Sequence, residues 1–116
     1  MLRHVLIDTQ ESLDEFAARF RKLLDLPDQN ASAYIRDQRR DGANRGGLYY
    51  YFEGQRFHFE LMRNSGVSSV REDHDAPFYL WIHTGDAVDN EEAVDTMVRE
   101  CIRILNSAGI AAEGCD

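Results

Sequence analysis

Proline, cysteine and long apolar runs are all scarce in this chain of 116 residues, and each scarcity removes a class of protein. With two prolines and no low-complexity tract, the chain does not read as a disordered linker. Two cysteines, Cys101 inside a helical pattern and Cys115 in a glycine-containing tail, make a poor disulfide framework, so a cytoplasmic protein is expected. The apolar run before Asp8, Val5-Leu6-Ile7, is too short for a signal-peptide core, and no other run approaches the ~20 residues of a membrane helix. Basic residues are also in short supply, with 13 Lys and Arg against 21 Asp and Glu and a formal net charge of −8 at pH 7. A field of that sign disfavours nucleic acid, whose binding depends on neutralising phosphates, and favours a basic partner or simple solubility.

What remains is ordinary globular material, 43% hydrophobic, enough for a single domain over residues 1–116 that buries roughly two-thirds of its unfolded surface. Its centre is the aromatic stretch Leu48 to Met62, reading LYYYFEGQRFHFELM. Glu53-Gly54 divides this stretch as a hairpin turn. Period-two alternation puts Phe57, Phe59 and Leu61 on one face and Arg56, His58, Glu60 and Met62 on the other. In the preceding run, Leu48, Tyr50 and Phe52 are assigned to the core and Tyr49 and Tyr51 to the opposite side.

Around the hairpin, Ser12-Leu13-Asp14-Glu15 matches a capping box and opens an amphipathic helix. Its apolar face carries Leu13, Phe16, Ala17, Phe20, Leu23 and Leu24, and Pro27 stops it. Residues 30–36 read as one or two helical turns, and 36–47, with three glycines and mixed charge, as a loop. A short polar strand is expected over 67–72 and an acidic turn around His74. Phe78 to His83 alternates as the fourth strand, with Phe78, Leu80 and Ile82 against Tyr79, Trp81 and His83. The last helix starts near Asp89 or Asn90 and carries Val94, Met97, Val98, Cys101, Ile102 and Leu105 as a stripe, with Ile104 outside it. Gly109 is placed as the left-handed residue that ends this helix, and 111–116 as a frayed tail. The expected architecture is an α+β two-layer sandwich. A four-stranded antiparallel meander carries two helices on one face, in the order α-β-β-β-β-α, with a short extra strand at Val5-Leu6-Ile7 as an option.

Two helices on one face leave the other face with Tyr49, Tyr51, His58, Glu60, Tyr79, Trp81 and His83, residues that join large contact area to a polar handle. The plain alternative is that the segment 28–47 covers this side as a second small core. The leading functional expectation is a protein-binding domain that uses this aromatic face or the acidic run Asp86, Asp89, Glu91, Glu92 and Asp95, for a basic partner or for self-association as a homodimer. In size and charge alone the chain resembles small acidic bacterial immunity or inhibitor proteins that neutralise basic toxins, which implies a non-enzymatic role. The competing expectation is a small-ligand or catalytic site with His58, Glu60 and His83 in a pocket on the same face. No spacing of His, Cys or acid matches a metal motif, and no cofactor is expected. Arg36, Arg39, Arg40 and Arg45 among glycines form no phosphate-binding loop, and Cys101 reads as a packed thiol while Cys115 reads as exposed.

Overall fold

The computed structural model describes residues 1–26, 32–35, 48–64, 76–85 and 90–116. In chain order its elements are β1 (His4–Asp8), α1 (Leu13–Leu23), β2 (Ser32–Ile35), β3 (Leu48–Glu53), β4 (His58–Arg63), β5 (Phe78–His83), α2 (Glu91–Ser107) and β6 (Ala111–Cys115). Among the described residues the strands form one antiparallel sheet in the order β2-β3-β4-β5-β1-β6. The fold is α+β with both helices on one face. Phe16 and Phe20 of α1, and Val94, Val98, Cys101 and Leu105 of α2, share one buried cluster with Phe52, Phe59, Leu61, Leu80 and Ile82 of the sheet.

Local chemistry explains the helix boundaries. Ser12 accepts from the Glu15 amide while the Glu15 carboxylate accepts from the Ser12 amide, so the capping box is complete, and hydrogen bonding from the Ser12 amide, then from its side chain, holds the Glu15 carboxyl below its usual range. At the other end of α1, Asp25 takes a left-handed conformation (φ 52°), and the Leu26 amide bonds the Arg21 carbonyl at 2.9 Å. This Schellman closure turns Leu26 into the core, so the helix ends at Leu23, four residues before the proline that the sequence singles out. The end of α2 is built the same way. Gly109 (φ 82°) is the left-handed residue, the Ile110 amide donates to the Leu105 carbonyl, and the Ile110 side chain is buried.

The sheet is wider than a four-stranded meander. Val5-Leu6-Ile7 is not an optional edge but the middle of β1, which lies between β5 and β6 and is buried on both faces. A continuous apolar run suits such a strand. The tail is not frayed, because Ala111–Cys115 pairs with β1 as an edge strand and Cys115 is buried rather than exposed. At Gly114 an added Cβ would lie 2.8 Å from the end of the Leu2 side chain and 3.2 Å from that of Ile102, so a small residue lets this strand lie close. Residues 32–35, expected as part of a helical turn, are β2 and pair with β3. The connection between β3 and β4 is a four-residue loop, residues 54–57, closed by the Gly54 amide on the Phe57 carbonyl at 2.9 Å, rather than a two-residue turn at Glu53-Gly54. β4 pairs directly with β5, so no strand intervenes between them; residues 67–72 themselves lie outside the described residues.

Candidate functional site

Register places the site. On the sheet face away from the helices, Tyr51, Glu60, Trp81, His4 and Cys115 stand opposite one another in a continuous row across β3, β4, β5, β1 and β6. One step along, His58 pairs with His83; one step the other way, Met62, Tyr79 and Leu6 form the next row. Because side chains alternate strictly along a strand, these rows share a face.

The sequence expectation that His58, Glu60 and His83 share a face is therefore met, and they are also in contact. His83 Nε2 lies 2.9 Å from Glu60 Oε2. The His83 ring stacks on that of His58 with centroids 5.2 Å apart, and its other neighbour is Trp81 at 4.3 Å. Tyr51 Oη is hydrogen-bonded to His58 Nδ1. Gly85, with φ 80°, lies against the far edge of the His58 ring, where a Cβ would fall 2.8 Å from Nε2. The result is two hydrogen-bonded pairs joined by ring stacking, contributed by β3, β4 and β5. Glu60 is only 7% exposed, while Tyr51, His58, Trp81 and His83 are half-buried.

Below this cluster the same face is apolar. Leu6, Met62, Ala76, Tyr79 and Cys115 are buried together with Trp81 against them, and the Tyr79 hydroxyl donates to the Met62 sulfur at 3.4 Å. Tyr79, expected as part of an open contact surface, is 4% exposed. A second small core is thus present on this side, while the part that 28–31 and 36–47 play in it lies outside the described residues. Sequence reasoning missed His4 and Cys115, which the edge pairing of β6 brings into the row. Among the described residues the enclosed His4 Nδ1 has no hydrogen-bond partner, and burial holds the His4 imidazole below its usual pKa, with Arg3 adding to this and Asp116 opposing it. The unbroken apolar run Val5-Leu6-Ile7 was the available signal, since only a strand covered on both sides tolerates it.

The other candidates divide. Burial, with a smaller contribution from Glu100, pushes the Cys101 thiol up to about 12, in keeping with a packed thiol. The acidic run is partly neutralised within the chain. Glu91 pairs with Arg3 at 2.5 Å, and Asp95 accepts from Arg99 and from the Leu2 amide. Asp86, Asp89, His74 and the arginines 36, 39, 40 and 45 lie outside the described residues. Among the described residues no group of three or more His, Cys, Asp or Glu could hold a metal ion, and no helix is long and apolar enough to cross a membrane. Comparison of the chain with protein-family models, with curated proteins and with solved structures gives no significant match.

Proposed function

We propose that this chain is a ligand-binding domain. Its site is the cluster of Tyr51, His58, Glu60 and His83 beside Trp81, and its ligand is a small planar molecule carrying hydrogen-bonding groups. The carrying observation is the Glu60 carboxylate, 7% exposed and bonded to His83 at 2.9 Å on the sheet face away from the helices. A buried ionisable pair contributes little net stability, so its placement is better accounted for by a task than by folding. His83 uses Nε2 for its bond to Glu60, which leaves Nδ1 of the ring that lies against Trp81 as a hydrogen-bonding atom, while the Nε2 edge of His58 faces Gly85. An aromatic wall with a few polar atoms converging on it is the usual make-up of a small-molecule site. The burial of Tyr79 and Glu60 favours this reading over an open aromatic docking surface for a protein partner or a second copy.

Trp81 is the one tryptophan in the chain, so its fluorescence reports on the site directly. Titration with benzoate, phenol, imidazole and inorganic phosphate is expected to give a saturable change with a planar probe, absent in His83→Ala. A second measurement separates ligand site from scaffold. Joint replacement of Glu60→Leu and His83→Phe should leave stability unchanged or higher. A loss above about 3 kcal/mol, the scale of a broken structural network, or linear responses to all four probes, would count against the proposal.

A further inference from the structure

On the helix side of the sheet, α1 packs on β4 while α2 packs on β1, β5 and β6, and the end of α1, the β3–β4 loop and α2 border a common space. Two hollows lie there, of about 580 and 590 Å³, and they share Arg56, Phe57 and Met97, which makes them one groove. Its apolar lining is half-buried rather than closed over: Leu23 and Leu24 from the end of α1, Phe57 from the loop, and Met97 and Ile104 from α2. Ile104 is the residue that the core stripe of α2 leaves out. It stands seven residues, two helical turns, from Met97, so the two present one ridge to the groove.

Charge selects the occupant. Asp25 lines one end and Glu92 the other, and among the described residues neither side chain has a bonding partner; Arg56 is turned over the Phe57 ring, 5.5 Å from its centroid. With a net charge of −8, a second copy of the chain or an anionic lipid surface would meet repulsion here, and a cationic segment would meet attraction. The space lies on a sheet between two helices, a place that a third helix fills by the usual layer packing.

We propose that this groove docks an amphipathic helix of a basic partner protein. Apolar side chains of that helix at i, i+3 or i+4, and i+7 would lie on Phe57, Met97 and Ile104, with Lys or Arg towards Asp25 and Glu92. This site is separate from the Glu60–His83 cluster, which lies on the other face of the sheet, and stands or falls without it.

The test uses the full chain and three labelled peptides of about four helical turns, ~14 residues: a Leu/Lys amphipathic helix, a scrambled peptide of the same composition, and a Leu/Glu counterpart. Fluorescence anisotropy is expected to show the Leu/Lys helix binding at least about tenfold more tightly than either control, with affinity falling as salt rises. Ile104→Lys should weaken it by about tenfold or more, and Ser107→Lys, which adds the same charge on an exposed position of α2, by less than about threefold. Amide shift mapping on the unmodified chain gives the same answer without relying on a variant that folds, with changes expected at Leu24, Phe57, Met97 and Ile104. Equal binding of the scrambled or acidic peptide, shifts lying elsewhere, or light scattering that shows a dimer dissolved by Ile104→Lys would overturn the proposal.

Discussion

The backbone of Gly85 lies against the imidazole of His58, and a Cβ at that position would come within 2.8 Å of Nε2. The left-handed φ of 80° and the close ring both demand glycine there. Gly85→Ala should therefore cost about 1–3 kcal/mol, the range for a strained left-handed residue. It should also push the His58 ring from Tyr51, visible as a shift of the His58 ring protons in NMR. A melting curve and ring spectrum that match the unmodified chain would contradict this placement.

His4 sets a pH dependence. Its folded pKa is depressed from 6.5, mainly by burial, so at neutral pH both states are unprotonated and it costs nothing. As pH falls below 6.5 the unfolded chain takes up a proton that the folded chain resists, and stability is lost. The groups around it are Arg3, Asp116, the Tyr79 ring at 6.0 Å, and Trp81 and Cys115 opposite it in the sheet. His4→Phe should flatten the decline of urea midpoint between pH 6.5 and the onset of carboxylate titration, where the lowered groups Glu15, Asp95 and Glu100 take over. An unchanged slope in that window would count against the role of His4.

Tyr50 donates its hydroxyl to Asp14 on α1, and this bond, with burial and the charge of Asp14 adding to it, raises its pKa from 10.0 to about 12. A raised tyrosine pKa means that the stabilisation is complete below pH 10.0 and is lost as pH climbs towards 12. In an absorbance titration near 295 nm, one of the five tyrosines should ionise last, and Asp14→Asn should bring it back towards the others. If all five ionise together in the unmodified chain, the bond does not persist in solution.

Cys101 is enclosed by the core, and its thiol is held protonated. It should react with a thiol reagent only as the chain unfolds. Cys101→Ser, which buries a hydroxyl in place of a thiol, should destabilise by about 1–3 kcal/mol, more than Cys101→Ala. Rapid labelling of Cys101 in the folded chain would show that α2 opens locally.

Face assignment in the hairpin survived an error in its turn. The sequence places the reversal at Glu53-Gly54, whereas the loop covers residues 54–57 and Phe52 pairs with Phe59. The register is displaced by an even number of residues, so Phe59 and Leu61 still face the helices and His58 and Glu60 still face away. An odd displacement would have exchanged the core for the site. The joining of Glu60 to His83 was open in the sequence because cross-strand neighbours depend on which strands pair, and an additional strand over 67–72 between them would have kept the two apart.

What the sequence determined by itself was local: both amphipathic helices, the capping box at Ser12, the closing glycine at 109, and the two-sided character of β4 and β5, all of which follow from periodicity and backbone chemistry within a few residues. Tertiary structure alone decided the order of the sheet. β6 is built of Ala111, Ala112, Glu113, Gly114 and Cys115, a run with no apolar alternation. It becomes a strand because β1 offers an unpaired edge and Leu2 and Ile102 pack where a side chain at Gly114 would be. That pairing brings His4 and Cys115 into the row with Glu60 and Trp81. Backbone hydrogen bonds between segments about a hundred residues apart leave no local signature, so this part of the candidate site was settled by the pairing of β1 with β5 and β6.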